Sequence, residues 1–162
     1  MILSHPEHTE HPEHPTRDQS FMPIWTKPIS LEKMTQAAAN TAASHLGIEF
    51  IEIGDDYLKG RMPIDHRTVQ PHGILHGGAS VLLAETLGSV AANFCVRRED
   101  QVAVGLEINA NHIRSVSKGW VYATARPIHV GGSTQVWEIR IENEDDKTVC
   151  ISRITMAVMD AR

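Results

Sequence analysis

The chain has 162 residues, 41% of them hydrophobic, with a formal net charge of −5 at pH 7. That length is a prior for one domain with a real core. The lack of any basic block argues against a nucleic-acid partner, and no apolar run approaches the roughly 18 residues of a membrane span. The two cysteines, Cys95 and Cys150, show no CxxC spacing and read as reduced thiols of a cytoplasmic protein.

Residues 1–22 form a tail distinct from the rest. His5, His8, His11 and His14 recur at every third position, and this triplet is the only internal repeat. Pro6, Pro12 and Pro15 forbid a regular helix, and there is little apolar surface to offset the entropy of ordering, so the tail is expected to be disordered. It lacks the apolar stretch of a secretory signal. Imidazole-rich tracts can ligate zinc, copper or nickel; the plainer reading is a solvated extension without a role. Glu7, Glu10, Glu13 and Asp18 against Arg17 leave it at −3, so the remaining body carries only −2 of the total −5.

Residues 23–162 read as one α+β domain. Ser30 is placed to N-cap a helix through Leu31, Met34, Ala37, Ala38 and Ala42, with Gly47 as its stop. Strand-like runs follow at 48–53 and 57–64, joined by the turn Gly54-Asp55-Asp56. Residues 65–76 form a loop containing Pro71 and Gly73, and a helix runs from Gly77 to about Val96. Four further strands are expected at 102–116, 120–130, 134–143 and 148–159. Their short connections favour antiparallel pairing and suggest a four-strand meander.

The helix from Gly77 is apolar nearly all round, which predicts burial under a wrapping sheet. Glu85, Ser89 and Asn93, spaced i, i+4 and i+8, lie along one stripe. Glu85 has no Lys or Arg within four positions. It either meets a donor from another element or serves as a general base or nucleophile in a partly dry pocket. At the other end, Gly77 and Gly78 present first-turn N–H groups at the positive helix terminus, suited to polarising a carbonyl or holding an anion. Eight residues of helix separate Gly77 from Glu85 by roughly 12 Å, too far to act on one atom. A two-fold dimer with antiparallel helices would bring Glu85 of one chain to Gly77 of the other.

The stretches QPHGILHGGASVLLAETLGS and VGLEINANHIRS closely resemble hotdog-fold acyl-CoA thioesterases. The similarity is to the branch holding 1,4-dihydroxy-2-naphthoyl-CoA hydrolase and the enterobactin-pathway proofreading thioesterase, and it spans residues 23–159. It implies a long central helix wrapped by a curved antiparallel sheet. It also implies hydrolysis of an acyl-CoA, aromatic by analogy and of the kind found in menaquinone biosynthesis, to free acid and CoA. The family's catalytic carboxylate falls on Glu85, its oxyanion donor on the Gly77 N–H, and its pocket residues on Gln70 and His76, with Ser89 near the reacting centre. Gly105 falls near the acyl pocket. The CoA arm falls on His112, Ile113, Arg114 and Ser115, and on the turn His129, Val130, Gly131, Gly132, Ser133 and Thr134. Arg114 and the glycine N–H groups suit phosphate oxygens.

No cofactor and no metal is implied. A homodimer with shared sites, paired into a tetramer, is. Two alternatives stay open: release of aryl groups from a carrier protein, and acyl-CoA binding without turnover.

Overall fold

The computed structural model describes residues 22–161, so the expectations for residues 1–21, the histidine repeat among them, lie outside the described residues. In chain order the elements are α1 (Leu31–Ala38), α2 (Ala42–His45), β1 (Glu49–Ile53), β2 (Leu58–Pro63), α3 (Gly77–Phe94), β3 (Gln101–His112), β4 (Trp120–Val130), β5 (Thr134–Asn143) and β6 (Thr148–Asp160). The strands form one antiparallel sheet in the order β1-β2-β4-β5-β6-β3. Packed against it lies α3, the helix-in-sheet arrangement of the hotdog fold.

The first helix starts as expected, with Ser30 Oγ accepting from the Lys33 N–H at 3.2 Å. It does not continue to Ala42. The chain leaves the helix at Ala39, Asn40 takes a left-handed φ of 60°, and a separate turn begins at Thr41. Asn visits that region more readily than most residues, so the alanine-rich run on either side does not form one rod. Gly47, at φ 72°, ends α2 as expected.

The four-strand meander is corrected. Only β4, β5 and β6 form one; β3 lies on the far side of β6, from Gln101 opposite Asp160 to His112 opposite Cys150. Connection length predicts antiparallel direction but not which strands are neighbours. Residues 113–119, extended, reach over 20 Å, enough to pass the edges of two strands about 4.8 Å apart each. This link closes the end of the sheet. The Ile113 and Arg114 N–H groups donate to Val149 O at 2.8 and 3.2 Å, Val116 O accepts from Leu75 N at 2.8 Å, and Gly119 O accepts from Ile64 N at 2.9 Å. Arg114 therefore sits past the strand end, where a continuous strand to 116 was expected.

The core is where α3 meets the sheet. Leu83, Ala84, Leu87, Gly88 and Ala91 are buried on α3 against Trp137, Ile139, Ile141, Ile154 and Met156, all fully enclosed. A Cβ on Gly88 would stand 2.6 Å from Ile154 Cγ2, so glycine there lets the helix press onto β6. An N-terminal strap secures the other helix end: Thr26 Oγ1 donates to Val96 O at 2.6 Å, and Trp25 Nε1 to Gly54 O at 2.8 Å. Among the described residues no helix is long and apolar enough to cross a membrane. Leu87→Ala should lower the free energy of unfolding in urea by about 2–5 kcal/mol, since Leu87 is fully buried.

Candidate active site

The N-terminus of α3 is set by the loop before it. Thr68 Oγ1 donates to Pro63 O at 2.8 Å and accepts from Asp65 N at 3.0 Å, while Thr68 O accepts from the His76 N–H at 2.8 Å. The Arg67 guanidinium holds the Asp65 carboxyl down at a pKa of about 2. Within the loop the Gln70 N–H donates to Ile74 O at 2.9 Å, and Gly73, at φ 74°, turns the chain between them. Gln70 Oε1 accepts from the His72 N–H at 3.0 Å, so this oxygen is turned onto its own loop.

His76 is the N-cap. Its Nδ1 accepts from the Gly78 N–H at 2.8 Å, which leaves Nε2 as the protonated nitrogen of the neutral ring. Ala79 and Ser80 N–H groups bond to His76 O. Among the described residues the Gly77 N–H is left without an acceptor, an open donor at the positive end of an eighteen-residue helix. His112 stands beside it: its Nε2 lies 2.9 Å from where a Gly77 Cβ would be. Gly77, Ser80, His112, Ile113, Arg114 and Ser115 line a pocket of about 300 Å3.

Glu85 lies two turns along the helix, half-buried. Ser89 Oγ donates to Glu85 Oε1 at 3.3 Å. The same oxygen lies 2.5 Å from the position a Gly105 Cβ would take, so the carboxylate rests on bare backbone. Glu85 and Ser89 also form part of the wall of a pocket of about 430 Å3 between α1, α2 and α3. Its other walls are largely apolar, with Met34, Ala37, Phe50, Val90 and Phe94 among them. The sequence reading did not place α1 here. An amphipathic helix shows that one face is covered, without saying by what.

The remaining predicted residues divide between the two ends of the sheet. Gly105, Met156, Gln135 and Val130 follow one another in register across β3, β6, β5 and β4. The turn 129–134 is thus at the Glu85 end. Its Gly131 N–H donates to Thr134 O at 2.9 Å, and a Gly131 Cβ would fall 2.7 Å from the same main-chain oxygen, which favours glycine there. His112 pairs with Cys150, six residues before Met156 on β6, about 20 Å away. One chain therefore brings together Glu85, Ser89 and Gly105, with the 129–134 turn at the same level. Separately it brings together His76, Gly77, His112, Ile113, Arg114 and Ser115. It does not join the two groups.

Two features complete the setting. β3 is an edge strand, and its Leu106 is 65% and Val104 40% exposed. Burial pushes the Cys95 thiol up to about 12 and raises Cys150 as well, which keeps both protonated and poor nucleophiles. Among the described residues no group of three or more His, Cys, Asp or Glu side chains is placed to hold a metal ion.

Residues 72–150 match the family model described as the thioesterase superfamily. The chain is similar to 1,4-dihydroxy-2-naphthoyl-CoA hydrolase of Escherichia coli, at 48% identity over 136 residues, covering 84% of this chain and 99% of the relative. It is also similar to the proofreading thioesterase EntH of Cronobacter turicensis, at 47% identity over 136 residues, covering 84% and 98%. Among solved structures it resembles a thioesterase from Haemophilus influenzae, with a TM-score of 0.82 and 50% identity, covering 85% of this chain and 95% of that one. At the α3 terminus, His76→Ala should destabilise the fold by about 0.5–2 kcal/mol in chemical denaturation through loss of the cap, and His76→Asn, which keeps an acceptor, by less.

Proposed function

The chain belongs to the thioesterase superfamily and is a thioesterase, and from that premise we propose that it hydrolyses aromatic acyl-CoA thioesters, with Glu85 as the reacting carboxylate. The observation that carries this reading is the setting of Glu85: a carboxylate with a hydroxyl partner, in the wall of an otherwise largely apolar pocket of about 430 Å3. That space suits a flat hydrophobic acyl group, with the carbonyl carbon held at the carboxylate.

Chemically, the thioester carbonyl must gain negative charge as water or the carboxylate attacks, and the thiolate of CoA must leave. An open main-chain donor such as the Gly77 N–H would stabilise that charge, an effect worth about 2.7–4 kcal/mol per donor elsewhere. Glu85 would take the proton of the attacking water, or itself form the acyl bond that water then breaks. His112 and Arg114 beside Gly77, and the turn at Gly132, would hold the phosphates and pantetheine arm; the Gly131 N–H expected to help is already given to Thr134 O.

In one chain Gly77 and Glu85 meet β3 at positions seven residues apart, Gly77 against His112 at its end and Glu85 against Gly105. A second copy pairing antiparallel at the free β3 edge would set the His112 end of one strand beside the Gly105 end of the other. The exposed Leu106 and Val104 would then be covered. We therefore take the working unit to be a dimer with two shared sites, and a pair of such dimers would make the expected tetramer. The similarity to a proofreading thioesterase favours a second reading, in which the acyl group arrives on a carrier protein; the same pocket and carboxylate would serve.

Glu85→Gln and Glu85→Ala should each lower thiol release from 1,4-dihydroxy-2-naphthoyl-CoA by about 10²–10⁴-fold; full activity in either would remove Glu85 from the reaction. Rates on a panel of aryl- and short acyl-CoAs, set against the matching carrier-protein thioesters, decide between the two substrates. Light scattering on the active enzyme should give a dimer or a multiple of it, and an active monomer would overturn the shared site.

A further inference from the structure

We propose that Asn93 is a positioning residue for the reaction: it clasps the edge strand β3 to α3 so that Gly105 lies directly under the Glu85 carboxylate. This rests on Glu85 as the reacting group.

Asn93 is the third member of the stripe that begins with Glu85 and Ser89, one turn beyond Ser89. Its side-chain amide makes three hydrogen bonds. Nδ2 donates to Ser89 O at 2.9 Å and to Ala103 O at 2.8 Å, and Oδ1 accepts from Ala103 N at 2.9 Å. Both amide hydrogens and the oxygen are used, so the amide has one orientation, and both main-chain groups of Ala103 are held to the helix. Ala103 is the only buried residue of β3. Among the described residues β3 is hydrogen-bonded to a strand on one side only, β6, and Asn93 adds a hydrogen-bonded tie to the helix.

Two residues on is Gly105, where Glu85 Oε1 lies 2.5 Å from the place of a Cβ. The β3–β6 register also shifts between Gly105 and Glu107. At an irregularity of this kind the ladder alone leaves the local position of the strand loosely specified. The tie from Asn93 to Ala103 sits just before that point and sets how near the Gly105 backbone comes to the carboxylate. Ser89 links the two ends of the device, bonding Glu85 through its hydroxyl and Asn93 through its carbonyl. Asn93 also stands in the wall of the pocket beside Glu85 and Ser89, but all three bonds of its amide go to main chain, so its effect is on the geometry at the acid.

The test is steady-state thiol release by the full-length protein with 1,4-dihydroxy-2-naphthoyl-CoA. Asn93→Ala should lower kcat by about ten- to a hundredfold, the scale of a small misplacement of a reacting group, while KM changes by less than about twofold. Asn93→Asp, which keeps the size and the acceptor for Ala103 N but loses both donors, should lower kcat in the same way, and it decides the matter if circular dichroism shows the alanine variant unfolded. Gly105→Ala supplies a readout that a merely structural role would not move. Its added Cβ should displace the carboxylate, and Asn93→Ala, by letting β3 retreat, should relieve part of that loss, so that the double variant is faster than the product of the single effects. Wild-type kcat in folded Asn93→Ala, a change confined to KM, or strictly multiplicative effects with Gly105→Ala would overturn the proposal. Glu85→Gln measured in parallel separates the two levels. Full activity there removes the reading beneath, whereas loss there with wild-type kcat in Asn93→Ala removes only the role of Asn93.

Discussion

An eighteen-residue helix with almost no polar surface has to be enclosed, and that requirement organises the molecule. Enclosure needs a sheet broad and curved enough to wrap a rod about 27 Å long, and six antiparallel strands supply it. The fit depends on close approach. Gly88 on the helix and Gly60 on β2 stand where a Cβ would meet Ile154 at 2.6 Å and Leu87 Cδ2 at 3.1 Å, the latter with Glu49 O at 2.8 Å. Backbone brought this near to side chains leaves little space between helix and sheet at these points.

A helix so enclosed can carry few polar groups, and the few it carries are placed where the sheet gives out. Glu85, Ser89 and Asn93 face the edge strand β3, and each finds a partner there or on its own helix. The stripe is thereby hydrogen-bonded without a cation, Glu85 through Ser89 of its own helix. The neighbours of Glu85 are the Ser89 hydroxyl and the bare backbone of Gly105. At the helix start the same economy applies. His76 caps Gly78 and leaves the Gly77 N–H free, so the terminus is closed at one donor and open at the next.

The edge strand ties these pieces together. Because the link 113–119 carries the chain across the sheet to β4, β3 has β6 on one side and, among the described residues, no strand on the other. An edge of that kind invites pairing with another strand, and along it Gly105, under Glu85, stands seven positions from His112, beside Gly77. The shared site proposed above would use this free edge.

Much of this was legible in the residues themselves. Strand and helix periodicity, the Ser30 cap, the Gly47 stop and the turns at 131–132 and 144–147 are local signals, written in neighbouring side chains, and the elements stand within a few residues of them. Direction of pairing followed from short connections. The burial of α3 and the common face of Glu85, Ser89 and Asn93 followed from helical spacing. What local signals do not carry is which elements meet. The passage of β3 to the outer side of β6, the break at Asn40 and the placing of α1 across the pocket from Glu85 depend on contacts between distant segments. So do the ties from Thr68 to His76 and from Asn93 to Ala103. Sequence determined the parts and their polar faces, because spacing along one element is a property of that element alone. Only the tertiary structure decided which backbone lies under the carboxylate and which side chain stands beside the open donor, because those contacts are set by the packing of strand against helix.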